Sequence, residues 1–83
     1  MGKVKTQLVP DVVSEYFSDD GVKTAEVLYA PAIGFSVMFK KNGKPLGIID
    51  YVGKAERYAE DAAENWVQGI YTEDALNRYL EEK

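Results

Sequence analysis

The stretch GFSVMFKKNGKPLGIIDYV, residues 34–52, constrains the fold of this chain more than any other. Asn42-Gly43 stands between two apolar runs, and both residues accept the positive φ of a type I′ turn, so the segment reads as a β-hairpin with a two-residue loop. Such a loop pairs Lys41 with Lys44. An uninterrupted register then sets Phe39 opposite Leu46 and Val37 opposite Ile48. Phe35, Val37, Phe39, Leu46 and Ile48 share one face, the expected core face. Met38, Ile49 and Tyr51 fall on the other, with Ser36 and Lys40. Pro45 has no N–H to give to a neighbour, which makes strand 45–52 an expected sheet edge.

Upstream, the β-branched and aromatic residues of DVVSEYF favour a strand over a short helix. Ser18-Asp19-Asp20-Gly21 is a turn signal that returns the chain into 22–30. Ala30-Pro31-Ala32-Ile33 links that strand to the hairpin, giving an antiparallel meander of three to four strands. Residues 1–10 read as a loosely attached N-terminal segment closed by Pro10.

At residue 54 the period changes from two to 3.6. Ala55, Tyr58, Ala59, Ala62, Ala63, Trp66, Val67 and Ile70 follow helical spacing over four turns, which predicts one long helix with an alanine stripe against the sheet. Tyr58 and Trp66 read as core on this stripe. Gly69 is placed to end the helix. Thr72 is placed to cap a short C-terminal helix carrying Ala75, Leu76, Tyr79 and Leu80 on one face. The expected fold is therefore α+β, one domain over 1–83, with a meander packed on a long helix and a short helix after it.

The segment KNGKPLGIIDYVGKAERYAEDAAENWVQGI resembles the hairpin-plus-helix part of small proteins of marine cyanophages and related tailed phages. Their shared pattern is an NG or DG hairpin followed by a helix like YAEDAAENW, and the resemblance covers roughly residues 34–70. It implies a phage origin and a fold of this type, and it implies no mechanism.

The 83 residues contain neither cysteine nor histidine. That removes disulfides, the usual zinc ligand sets and any Ser-His or Cys-His nucleophile. No cofactor and no catalytic or metal site is expected, and the chain reads as non-enzymatic. No segment of the sequence has the length and hydropathy of a membrane span or a signal peptide, so a cytoplasmic protein is expected. A chain this short buries only about 60–65% of its unfolded surface, which leaves self-association as a source of further stability and points to a homodimer.

Charge is distributed unevenly. Residues 1–53 hold six acidic side chains and six lysines, whereas residues 54–83 hold eight acidic side chains against four basic ones, and this accounts for the net charge of −4. Glu56, Glu60 and Glu64 recur at i, i+4 and i+8 with Asp61 beside them, in the expected long helix. This stripe has three readings: a solvated helix face, a docking face for a basic protein partner, or a divalent-cation or acid/base site. The solvated face needs nothing further, because each like-charge i,i+4 pair costs only about 0.2–0.5 kcal/mol. Met38, Ile49 and Tyr51 form the candidate oligomer surface, unless the N-terminal segment or the last helix covers them. Together with Lys40, Lys41 and Lys44 they also offer an alternative, a stacking face for nucleic acid. The acidic C-terminal third disfavours that partner. The function read from the sequence is thus binding of an unidentified protein, through the acidic helix face or the edge strand.

Overall fold

The computed structural model describes residues 11–82. The loosely attached segment expected at 1–10 lies outside them. Four strands follow one another and pair in chain order: β1 Asp11–Phe17, β2 Lys23–Ala30, β3 Gly34–Lys41 and β4 Lys44–Tyr51. All three pairings are antiparallel, so the meander has its full four strands, with β1 and β4 at the edges. Two helices follow, α1 Glu56–Val67 and α2 Glu73–Glu81.

The turns form where their chemistry asks. Asn42 and Gly43 take φ of 54° and 79°, the double positive φ of a type I′ loop. Between β1 and β2, the Asp20 carboxylate accepts from Ser18 Oγ at 2.7 Å and from the Val22 N–H at 3.0 Å. These bonds stabilise the ionised form and hold the Asp20 pKa below the ordinary aspartate value, the Ser18 hydroxyl contributing most.

Strands β3 and β4 depart from the uninterrupted register. Lys41 does pair with Lys44 and Lys40 with Pro45, but Phe39 pairs with Gly47, so Leu46 is an extra residue in a bulge. Every residue beyond it changes side. Val37 now faces Ile49 and Phe35 faces Tyr51, while Ile48 pairs with Met38 on the opposite face. Ile49 is accordingly 3% exposed and Ile48 41%. Met38, Ile49 and Tyr51 therefore do not share a face: Ile49 is in the core, Tyr51 packs against it, and Met38 lies on the other side. Gly47 shows why the chain shifts here. A Cβ at this position would stand 2.5 Å from Leu80 Cδ1, so the missing side chain lets α2 approach the strand.

The helical segment is shorter than its apolar period. Helix α1 has 12 residues and α2 has nine, so neither is the single long helix expected from the pattern over 55–70. Gly69, at φ 86°, stops α1 in a Schellman arrangement. The Ile70 N–H bonds to Asn65 O at 2.9 Å, and the Gly69 N–H to Trp66 O at 3.2 Å. Thr72 caps α2, its hydroxyl accepting from the Ala75 N–H at 3.2 Å.

The core lies between one sheet face and the two helices. Ala25, Val27, Val37, Phe39 and Ile49 meet Ala59, Ala63, Trp66 and Leu76. The small Ala59 and Ala63 bring the α1 backbone close to β2, and Trp66 fills the space at the helix end. Its indole N–H donates to Thr24 O at 3.1 Å and Lys40 O at 3.3 Å, which ties α1 to β2 and β3 together. The Phe39 ring meets the Trp66 and Tyr71 rings edge-on at 5.4 and 5.6 Å. Tyr58, expected beside Trp66 in the core, is exposed instead and lies 5.2 Å beneath the Lys54 ammonium. The alanine stripe is narrow enough that a residue at its rim turns to solvent.

Candidate functional site

Among the described residues strand β4 pairs on one side only, with β3, and the bulge aims its C-terminal half at a cleft. The cleft has a volume of about 480 Å³ and lies between β4, the end of α1, the loop after it and α2. Ile49 and Ala62 lie at its core side, Tyr51, Tyr71 and Tyr79 line it, and Asp50, Lys54 and Asn65 add polar groups. Val52 and Ile70 also line it while standing 67% and 68% exposed to solvent. Two large aliphatic side chains held in water beside an apolar hollow make this the most concentrated exposed apolar feature on the helix side of the sheet.

The three tyrosines come from different elements, at the end of β4, just after α1 and within α2. Burial pushes the Tyr51 phenol up to about 12, with Tyr71 and Tyr79 adding to the shift, and burial followed by Tyr79 raises Tyr71. Both phenols are neutral at pH 7 and able to donate. Among the described residues no side chain or carbonyl accepts from the three hydroxyls.

The acidic stripe lies elsewhere, on the part of α1 that faces β1. Glu56 and Glu60 are partly shielded, and Asp61 and Glu64 are exposed. The Glu56 carboxyl raises the pKa of Glu60 by a shared hydrogen bond and like charge, with desolvation and Asp61 adding to it. The same glutamates, after burial, raise the Tyr16 phenol on β1. Arg57 and Asp61 do not pair. Among the described residues the ion pairs are Lys40–Glu26 at 3.1 Å and Lys41–Glu73 at 2.8 Å. No group of three or more acidic side chains among the described residues has the geometry to hold a metal ion.

The lysine hairpin is similarly redistributed. Lys40 and Lys41 are engaged by Glu26 and Glu73, and Lys23 lies 4.4 Å over the Trp66 ring, which leaves Lys44 of the hairpin lysines without an acidic partner among the described residues. No helix among the described residues is long and apolar enough to cross a membrane.

Sequence reasoning found the β4 edge through Pro45 but not the cleft, because its tyrosines are spread over 29 positions and share no local pattern. The one available signal was Gly47, a glycine inside a strand, which marks bulges and close approaches. The chain matches no family model, no curated protein and no solved structure in comparisons with known proteins.

Proposed function

We propose that this chain is a small protein-binding module whose docking site is the outer edge of β4 and the tyrosine-lined cleft beside it. The occupant is an extended segment of another protein. It adds as a fifth strand along residues 48–52, beyond Pro45, and seats an apolar side chain between Val52, Ile70 and the tyrosines. Edge strands offer a row of unpaired backbone groups for such addition, and a neighbouring pocket supplies the side-chain choice. The observation that carries the reading is the pair Val52 and Ile70, both two-thirds exposed, at the rim of the cleft beside the outermost described strand.

The acidic face of α1 has a supporting role in this reading. A surplus of four negative charges attracts a basic flank of the partner and affects the association rate more than the affinity. The activity is binding and not catalysis, a reading supported by a sequence without histidine or cysteine. In this reading the module is a phage accessory protein acting on a host protein, which is supported by the resemblance of residues 34–70 to phage proteins.

A random peptide display library panned against the full chain tests the proposal. The recovered peptides lose about tenfold or more in affinity for Val52→Glu and Ile70→Glu, because each places a charge against apolar side chains. They keep their affinity for Glu60→Gln within about threefold at physiological salt, where surface charge is screened. Equal binding to the parent chain and to both cleft variants rejects the reading.

A further inference from the structure

The sheet ladder determines which residues of β4 offer their backbone at its outer edge. The Asn42 N–H bonds to Val22 O at 2.7 Å, one step beyond the Lys23–Lys41 pair. Backbone groups along an antiparallel strand turn alternately to its two sides. Lys40, Met38 and Ser36 therefore bond towards β2, and Lys41, Phe39, Val37 and Phe35 towards β4. The partners of the second set, Lys44, Gly47, Ile49 and Tyr51, are committed to β3. Pro45, Ile48 and Asp50, paired with Lys40, Met38 and Ser36, turn their backbone groups outward. Pro45 has no N–H, so Ile48 and Asp50 are the residues of β4 that present both a donor and an acceptor there.

Their side chains differ in kind. Ile49, between them, is in the core and walls the cleft. Ile48 follows the other alternation, in the row of Met38, and Asp50 stands in the row of Ser36. Ile48 and Asp50 are both exposed. Glu26 and Glu73 are taken by Lys40 and Lys41, whereas Asp50 has no ion pair among the described residues. The edge thus carries one carboxylate, two residues from an exposed isoleucine and next to the residue that walls the cleft.

We infer, resting on the docking reading above, that the segment added to β4 carries a lysine or arginine opposite Asp50, directly before the apolar residue that enters the cleft. The three pairings already in the sheet are antiparallel, and this pairing is the more stable per residue. An antiparallel strand meets Asp50 first, then Ile49, then Ile48, so its chain order is basic, apolar into the cleft, apolar beside Ile48. Side chains directly opposite on one face of such a pair stand about 4.5–5.5 Å apart at Cβ, within reach of an ion pair. Arginine can grip the carboxylate with two parallel bonds. An acidic residue at this position meets Asp50 at the same distance and is rejected. The chain's net charge of −4 favours the same sign of partner at long range.

Panning the display library separately against the full parent chain and against Asp50→Lys tests this inference. Peptides held by the parent carry Lys or Arg directly before the apolar anchor, and those held by Asp50→Lys carry Asp or Glu there. Each set prefers its own chain by about threefold to tenfold at low salt, and the preference shrinks as salt rises. Asp50→Asn keeps the shape and removes the charge. It weakens the basic peptides by about threefold, so it carries the test even where Asp50→Lys does not fold. Peptides that need Val52 and Ile70 but show the same residue before the anchor in both selections, and no loss with Asp50→Asn, overturn this inference and leave the docking reading standing. Peptides indifferent to Val52→Glu and Ile70→Glu overturn both.

Discussion

Trp66→Phe removes the side chain that joins α1 to both central strands, and its cost can be worked from the contacts. Trp66 is fully buried. Trimming the indole to a phenyl ring withdraws about 40 Å² of buried apolar surface, worth about 1 kcal/mol at about 25 cal/mol per Å². The N–H shared between Thr24 O and Lys40 O is lost too, and leaving buried acceptors without their donor adds about 1–2 kcal/mol. The phenyl ring keeps its edge-on contacts and part of the attraction to Lys23, so the total is about 2–3 kcal/mol. A chain of 83 residues has about 4–12 kcal/mol of stability in all, so this is a large share of it. The melting temperature falls by roughly 10–20 °C, at about 4–8 °C per kcal/mol for a domain of this size. Urea denaturation followed by far-ultraviolet circular dichroism measures the change, since the variant has no tryptophan to report fluorescence. Tyr58→Phe, at an exposed ring, is the control and stays within about 0.5 kcal/mol. A loss below about 1 kcal/mol for Trp66→Phe would refute the reasoning, because the indole would then not be sealed between helix and sheet.

Two further outcomes follow from the bulge and from the tyrosine cleft. Gly47→Ala drives a methyl into Leu80 and destabilises the fold by about 1–3 kcal/mol, and Leu80→Ala in the same chain recovers part of that loss, measured as a double-mutant cycle in urea. Additive losses would mean that Leu80 does not rest on Gly47. Tyr51 gives a pH dependence whose sign is fixed by its raised value: the folded chain holds the proton up to about 12, the unfolded chain releases it near 10.0. The stability it contributes is therefore whole below pH 10 and is lost as pH rises from 10 towards 12. The urea midpoint of the parent chain falls over that window more steeply than that of Tyr51→Phe, and identical slopes would contradict the burial of this phenol.

How far the sequence reveals this fold depends on whether a feature is local. The Asn42-Gly43 turn, the β1–β2 turn at Ser18–Gly21, the Pro45 edge and the Thr72 cap are each written in two to four neighbouring residues, and each forms as read. The faces of β4 are not local. They depend on whether the ladder runs uninterrupted from the turn, and one extra residue at Leu46 exchanges Ile48 for Ile49 in the core. Gly47 carried the hint, but the contact that gives it meaning comes from Leu80, 33 positions later. Helical period likewise overstated α1. Ile70 keeps the spacing of the stripe, yet it lies beyond Gly69, and it became a cleft residue because the chain had already left the helix. The cleft itself is assembled by tertiary packing from positions 49–54, 62–71 and 79, so no window of sequence contains it.

The acidic stripe of α1 shows the converse. Its composition was plain in the sequence, and the structure gives it a solvent-facing position beside β1, a raised Glu60 and no metal-holding geometry among the described residues. The apolar cleft and edge lie apart from it, which is why the proposed docking site is carried by Val52 and Ile70 and the glutamates contribute only long-range attraction.

The most direct test of the central claim is nuclear magnetic resonance of the ¹⁵N-labelled full chain titrated with a display-selected peptide. The account predicts shifts at residues 48–52, 70, 71 and 79, with new cross-strand contacts from the peptide backbone to β4. Shifts confined to the acidic face of α1, or to the helix-free face of the sheet, would contradict it.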